Sequence, residues 1–170
     1  RLYQTSTLAL TPEEMAQAIT DIIQQDLNLE FAAILHFEKN KSALIPLSLS
    51  GSKRLLQTLS EIGLTLRTVT INDVSKNVFL VQLLNSKSQH VTHVLNDIWG
   101  SAITKEQLLA IQNGSNLKTM LLSSLVIGKG ILGVLILGFN RDYETLNTFE
   151  KESIKSFIVP ISLLLYKSYL

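Results

Sequence analysis

Near the start of the chain apolar residues recur at helical spacing. Met15, Ala18, Ile19, Ile22 and Ile23 share one face, and Glu13, Gln17, Asp21 and Gln24 the other. Thr11-Pro12-Glu13-Glu14 opens that helix: Thr11 can cap it, Pro12 suits the first helical position and Glu14 completes a capping box. The period then changes. Phe31–Glu38 is short and apolar nearly throughout, as a strand buried on both faces would be. Lys39-Asn40-Lys41 predicts a polar turn, residues 42–50 the returning strand, and Gly51 its end. Leu55, Leu59 and Ile62 share a helical face over residues 52–62.

The middle is less regular. Residues 64–71 alternate loosely and predict a strand. Residues 77–85 predict a helix that is apolar nearly all round, so neighbours must cover it on several sides. Residues 89–95 read as a short strand and 96–100 as a loop, and Thr104, with Gln107 three residues on, opens another helix. The last third is sharper. Residues 117–127 and 131–139 predict two strands joined by the tight turn Gly128-Lys129-Gly130, and residues 145–170 one long C-terminal helix. This order predicts an α+β fold with a mainly antiparallel sheet. It forms one domain over residues 1–170, the first ten serving as an upstream linker.

Composition removes several function classes. With 170 residues and 46% hydrophobic content the chain can bury a proper core. Its net charge of +1 comes from 15 basic and 14 acidic side chains spread evenly, so no nucleic-acid partner is expected. There is no cysteine, which excludes disulfides, thiolate nucleophiles and thioether-linked chromophores and suits a cytoplasmic location. No stretch approaches the roughly 18 apolar residues of a spanning helix, so no direct membrane contact is expected. Arg1 to Thr7 contain no signal-peptide core, and the missing initial methionine marks an expected fragment of a larger protein.

The strand ending Ser123-Ser124-Leu125-Val126-Ile127, the Gly128-Lys129-Gly130 turn, the strand Ile131-Leu132-Gly133-Val134-Leu135-Ile136-Leu137-Gly138 and the helix start Leu146-Asn147-Thr148-Phe149-Glu150 resemble the C-terminal half of a GAF domain. The opening helix and the long middle suit the same plan better than that of a PAS domain, the alternative. The resemblance implies a six-stranded antiparallel sheet with the terminal helices on one face and a ligand pocket on the other. It also implies a host signalling protein, most often a sensor histidine kinase. The family's cyclic-nucleotide signature is not met: Asn40-Lys41 lies in the first turn and the chain has no Asp-Glu dipeptide. The cysteines of its bilin-binding and methionine-sulfoxide-reducing members are absent as well.

Candidate chemistry is sparse. His36, His90 and His93 are the only histidines. His90 and His93, three apart in an expected strand, would point to opposite faces, so no metal site is expected from them. One histidine could ligate a haem iron or bond a ligand, or simply be satisfied in the core. Gly128-Lys129-Gly130 lacks the spacing of a phosphate-binding loop, and no hydrolase or zinc motif is present. No catalytic residue and no covalent chromophore are therefore expected. A small, unidentified ligand is expected between the sheet and the segment from Asn77 to His93, touching Phe79, Gln82, His90 and Thr92, with His36 a further candidate. The competing outcome is a solid interior filled by Phe79, Leu80, Val81, Leu83 and Leu84.

The final helix carries two stripes. Ile154, Phe157, Ile158, Ile161, Leu164 and Leu165 form one, and Val159, Leu163, Tyr166 and Leu170 the other, spaced four, three and four. One stripe covers the sheet; the second predicts a homodimer through the terminal helices. The expected function is thus a regulatory small-molecule-sensing and dimerisation domain, or a ligand-free dimerisation module of the same shape.

Overall fold

The computed structural model describes residues 10–170, so the expected linker lies outside the described residues except for Leu10. Helix α1 (Pro12–Asp26) starts on the expected capping box: Thr11 Oγ1 accepts from the Glu14 N–H, and the Glu14 carboxylate accepts from the Thr11 N–H. Strands β1 (Phe31–Glu38) and β2 (Ala43–Gly51) follow, then α2 (Lys53–Glu61), capped by Ser52. The middle holds α3 (Val78–Ser86), β3 (Gln89–Thr92), α4 (Asn96–Trp99) and α5 (Lys105–Ser115). The hairpin β4 (Thr119–Ile127) and β5 (Gly130–Phe139) turns through Gly128, whose φ of 61° suits glycine, and Lys129. The chain ends in α6 (Thr148–Ile158) and α7 (Ile161–Tyr169).

The five strands form one antiparallel sheet in the order β2-β1-β5-β4-β3. The expected sixth strand over residues 64–71 is not formed; only a single bridge, Leu44 to Ile71, remains of it. The reason lies at the sheet edge. Residues 66–68 coil into a 3₁₀ turn, and Arg67 Nη2 donates 2.8 Å to the Leu49 carbonyl, an acceptor on β2 that an added strand would need. Residues 96–100, expected as a loop, instead make the single turn α4, which buries Ile98 and Trp99. The long C-terminal helix is also corrected. It begins at Thr148, after a 3₁₀ turn over Tyr143–Thr145, and Pro160 divides it into α6 and α7.

Alternation along the strands sends side chains into two cores. Phe31, Ala33 and Leu35 of β1, Met120 and Leu122 of β4, and Val134 and Ile136 of β5 pack with Leu55, Leu80, Leu83, Ile98, Trp99 and Ile111 from the middle helices. The neighbours Ala32, Ile34, Leu121, Leu135 and Leu137 pack with Met15, Ile19 and Ile23 of α1 and with Ile154, Ile158, Ile161 and Leu165 of α6 and α7. Burying each of the larger side chains contributes about 1.5–3 kcal/mol.

Candidate functional site

The residues expected to line a ligand pocket are dispersed. Phe79 and His90 do meet, ring centres 6.0 Å apart and edge to face, and His90 Nε2 lies 2.9 Å from Ser86 Oγ. Thr92 is buried, and its hydroxyl donates 2.5 Å to Asp97 Oδ2. Gln82 is exposed. Asn77, at the start of the segment expected to flank the ligand, caps α3 by accepting from the Leu80 N–H and donates to the Asp97 carbonyl. His36 projects from the other side of the sheet. Its Nδ1 is 3.2 Å from Tyr169 Oη of α7 and its Nε2 3.9 Å from Glu38. Burial, with the Glu13 carboxylate adding, pushes the Tyr169 phenol above its ordinary pKa, so it stays protonated at neutral pH.

The space between the sheet and α3–α4 is filled. Leu80, Leu83, Ile98 and Trp99 occupy it at 2% exposure or less, and the void left beside Trp99, under Leu66 and Arg67, is about 10 Å³. Among the described residues Trp99 Nε1 is the one buried side-chain polar atom without a hydrogen-bond partner. Of the residues named in the solid-interior alternative, Leu80, Leu83 and Leu84 are buried in this core, whereas Phe79 is half-buried at its edge and Val81 lines a separate groove.

A larger opening lies at the end of the sheet instead. A groove of about 650 Å³ runs between the β1–β2 turn, α3 and the tip of the β4–β5 hairpin. Phe37, Val74, Val81, Leu84 and Ile131 give it apolar walls, and Lys39, Lys87 and Lys129 stand round it with no carboxylate among its lining residues. Lys87 takes a left-handed conformation at the end of α3 (φ 52°), and its Nζ donates 2.7 Å to the Lys129 carbonyl. Only Leu84, Val81 and Asn85 of the expected segment, with Lys87, reach this groove. The three lysines come from three separate turns, so no local pattern in the sequence signals them.

A second polar cluster sits where β3 and β5 exit the sheet. His93 Nε2 is 3.2 Å from Glu144 Oε2 and 3.9 Å from Asp142 Oδ1. A hydrogen bond from its own backbone N–H, then His93 and Lys151, hold the exposed Glu144 carboxyl below the usual carboxylate range. His90 and His93 do not share a strand as expected: β3 ends at Thr92 and the chain bends at His93.

The element order and the β2-β1-β5-β4-β3 sheet define a class: an α+β domain with one antiparallel sheet and helical layers around it. That arrangement is the GAF fold. The chain is similar to the phycoerythrobilin-bound GAF domain from a cyanobacterial phytochrome, with a TM-score of 0.69 and 13% identity over 99% of this chain and 92% of the other. It is similar to a GAF domain/HD domain protein from Geobacter sulfurreducens, with a TM-score of 0.66 and 14% identity over 95% and 96%. Residues 122 to 287 of a methyl-accepting chemotaxis protein give a TM-score of 0.66 and 14% identity over 98% and 95%. No family profile and no curated protein matches the sequence. Among the described residues no helix is long and apolar enough to cross a membrane.

Proposed function

We propose that this chain is a regulatory domain of a signalling protein, which binds a small ligand in the groove and dimerises through its C-terminal helix. The observation that carries the reading is the two-faced C-terminal segment formed by α6, the break at Pro160 and α7. Ile154, Ile158, Ile161, Leu164 and Leu165 are buried in the core, while Val159 (78%), Leu163 (53%), Tyr166 (38%) and Leu170 (89%) are exposed. An apolar stripe left open on a monomer is the pattern a second helix covers. The core-facing stripe couples that helix to α1 and to β4, so a ligand that favours one packing of the domain would favour one arrangement of the dimer. The fold's occurrence in chemotaxis and phytochrome proteins supports a signalling host, and a sensor histidine kinase is the leading one.

The ligand the groove suits has an apolar body and a negative charge, given its apolar walls and three lysines. The domain acts by binding, not catalysis. Ser86 and His90 touch, but the Ser86 hydroxyl donates to the Leu83 carbonyl at the exposed end of α3 and serves as a helix-end contact. Ligand-free dimerisation is the second reading, favoured by the filled space around Trp99.

The dimer is tested by Leu163→Glu with Tyr166→Glu, which should give a folded monomer by light scattering with an unchanged circular dichroism spectrum. A double variant that stays dimeric, or a parent that is monomeric at high concentration, sinks the reading.

A further inference from the structure

We propose that His93, Asp142 and Glu144 form a divalent-metal site that ties the end of β3 to the start of the C-terminal helix. The three ligand atoms all lie within 4.8 Å of one another. With zinc bonds of about 2.0–2.2 Å, the ligand atoms of a tetrahedral site stand roughly 3.3–3.6 Å apart. The His93–Glu144 separation of 3.2 Å is close to that spacing, and the His93–Asp142 separation of 3.9 Å needs only a small side-chain rotation. All three side chains are about half exposed, so nothing packed around them resists it. One imidazole and two carboxylates, without a thiolate, suit Zn²⁺ or Mn²⁺ and leave a position for water.

Both loops that present these ligands are held from behind. Gln112 of α5 donates 2.9 Å to the His93 carbonyl and accepts from the Leu95 N–H, which braces the chain on either side of His93's neighbour Val94. Thr119, fully buried at the start of β4, does the same for Asp142: its hydroxyl donates 2.7 Å to the Arg141 carbonyl and accepts from the Tyr143 N–H at 3.1 Å. These bonds hold the loop backbones from which the three ligand side chains project. Of the neighbouring cations, Arg141 is engaged elsewhere and Lys151 acts on the cluster only through its charge at Glu144. Arg141 pairs with Glu150 at 2.9 Å, and Lys151 stands 5.1 Å over the centre of the Tyr143 ring. An ion here would join the segment after β3 to the turn that leads into α6, a link between the middle of the domain and its C-terminal helix. The competing account is an ordinary ion pair of a protonated His93 with the two carboxylates.

Titration calorimetry with zinc chloride alone, near neutral pH, tests the site on the intact 170-residue chain. One ion per chain is expected, with binding weakened at least about tenfold by His93→Ala and by Glu144→Gln, and unchanged by His36→Ala or His90→Ala. The ring nitrogens of His93 should shift on zinc addition while those of His36 and His90 stay fixed, and amide exchange over residues 141–147 should slow several-fold. No zinc uptake, or equal uptake by the His93→Ala protein, overturns the proposal.

Discussion

Leu35 and His36 of β1 face Val134 and Gly133 across the β1–β5 ladder, and a Cβ built at Gly133 would collide with the carbonyl oxygen of Leu35. That contact is with backbone, which cannot swing aside as a side chain can. At Gly138 a Cβ would run into the Phe31 ring, itself 1% exposed. Gly130, at the hairpin tip, meets nothing closer than 3.7 Å. Gly133→Ala should therefore cost about 2 kcal/mol or more by urea denaturation, and Gly130→Ala less than about 0.5 kcal/mol. Equal small losses at both positions would mean that β1 and β5 have more slack than their register implies. The strand pattern in the sequence shows that these glycines interrupt an apolar run. It does not show which one lies under a neighbouring carbonyl, because that depends on strand partners.

Among the elements, the C-terminal helix departs furthest from its periodicity. Val159 and Pro160 both keep right-handed helical dihedrals (φ −50° and −78°), yet the helix splits between them because Pro160 has no N–H for the Ser156 carbonyl. Alanine can adopt the same backbone without strain and supplies the missing donor. Pro160→Ala should raise the helical circular dichroism signal and leave stability equal or higher. A loss above about 1 kcal/mol would show instead that the break itself seats Ile161 and Leu165 against the sheet. A polar seam sets α1 apart from the other helices: Gln17, Thr20 and Asp21 meet Ser48 and Ser50 of β2, with Ser50 Oγ 2.8 Å from Thr20 Oγ1 and 2.5 Å from Asp21 Oδ1. The buried carboxylate of Glu30 likewise holds Ser52 and Arg54 at the start of α2, both at 2.9 Å. Helical spacing shows that Gln17 and Asp21 face alike, but only the packing of α1 on β2 gives them hydroxyl partners.

For the whole molecule, the proposed sensing function rests on the groove and the helix stripe together. If Lys87 and Lys129 select an anionic ligand, native mass spectrometry of the purified protein should find a retained acid, and Lys87→Glu with Lys129→Glu should abolish it while the fold and the dimer persist. Retention unaffected by that charge reversal would move the site elsewhere. No acid retained by the parent, with the dimer intact, would favour ligand-free dimerisation. Much of the architecture was determined by the sequence itself: the capping boxes at Thr11 and Thr104, the β4–β5 hairpin and the outward stripe of Val159, Leu163, Tyr166 and Leu170. Each rests on residues a few positions apart, where backbone geometry alone decides which side chains are neighbours. The fate of residues 64–71, the filling of the space around Trp99, and the meeting of Lys87 with Lys129 and of His93 with Glu144 were decided only by the tertiary structure. Those last pairs lie 42 and 51 positions apart, and their contact follows from strand order and loop path, which no local period encodes.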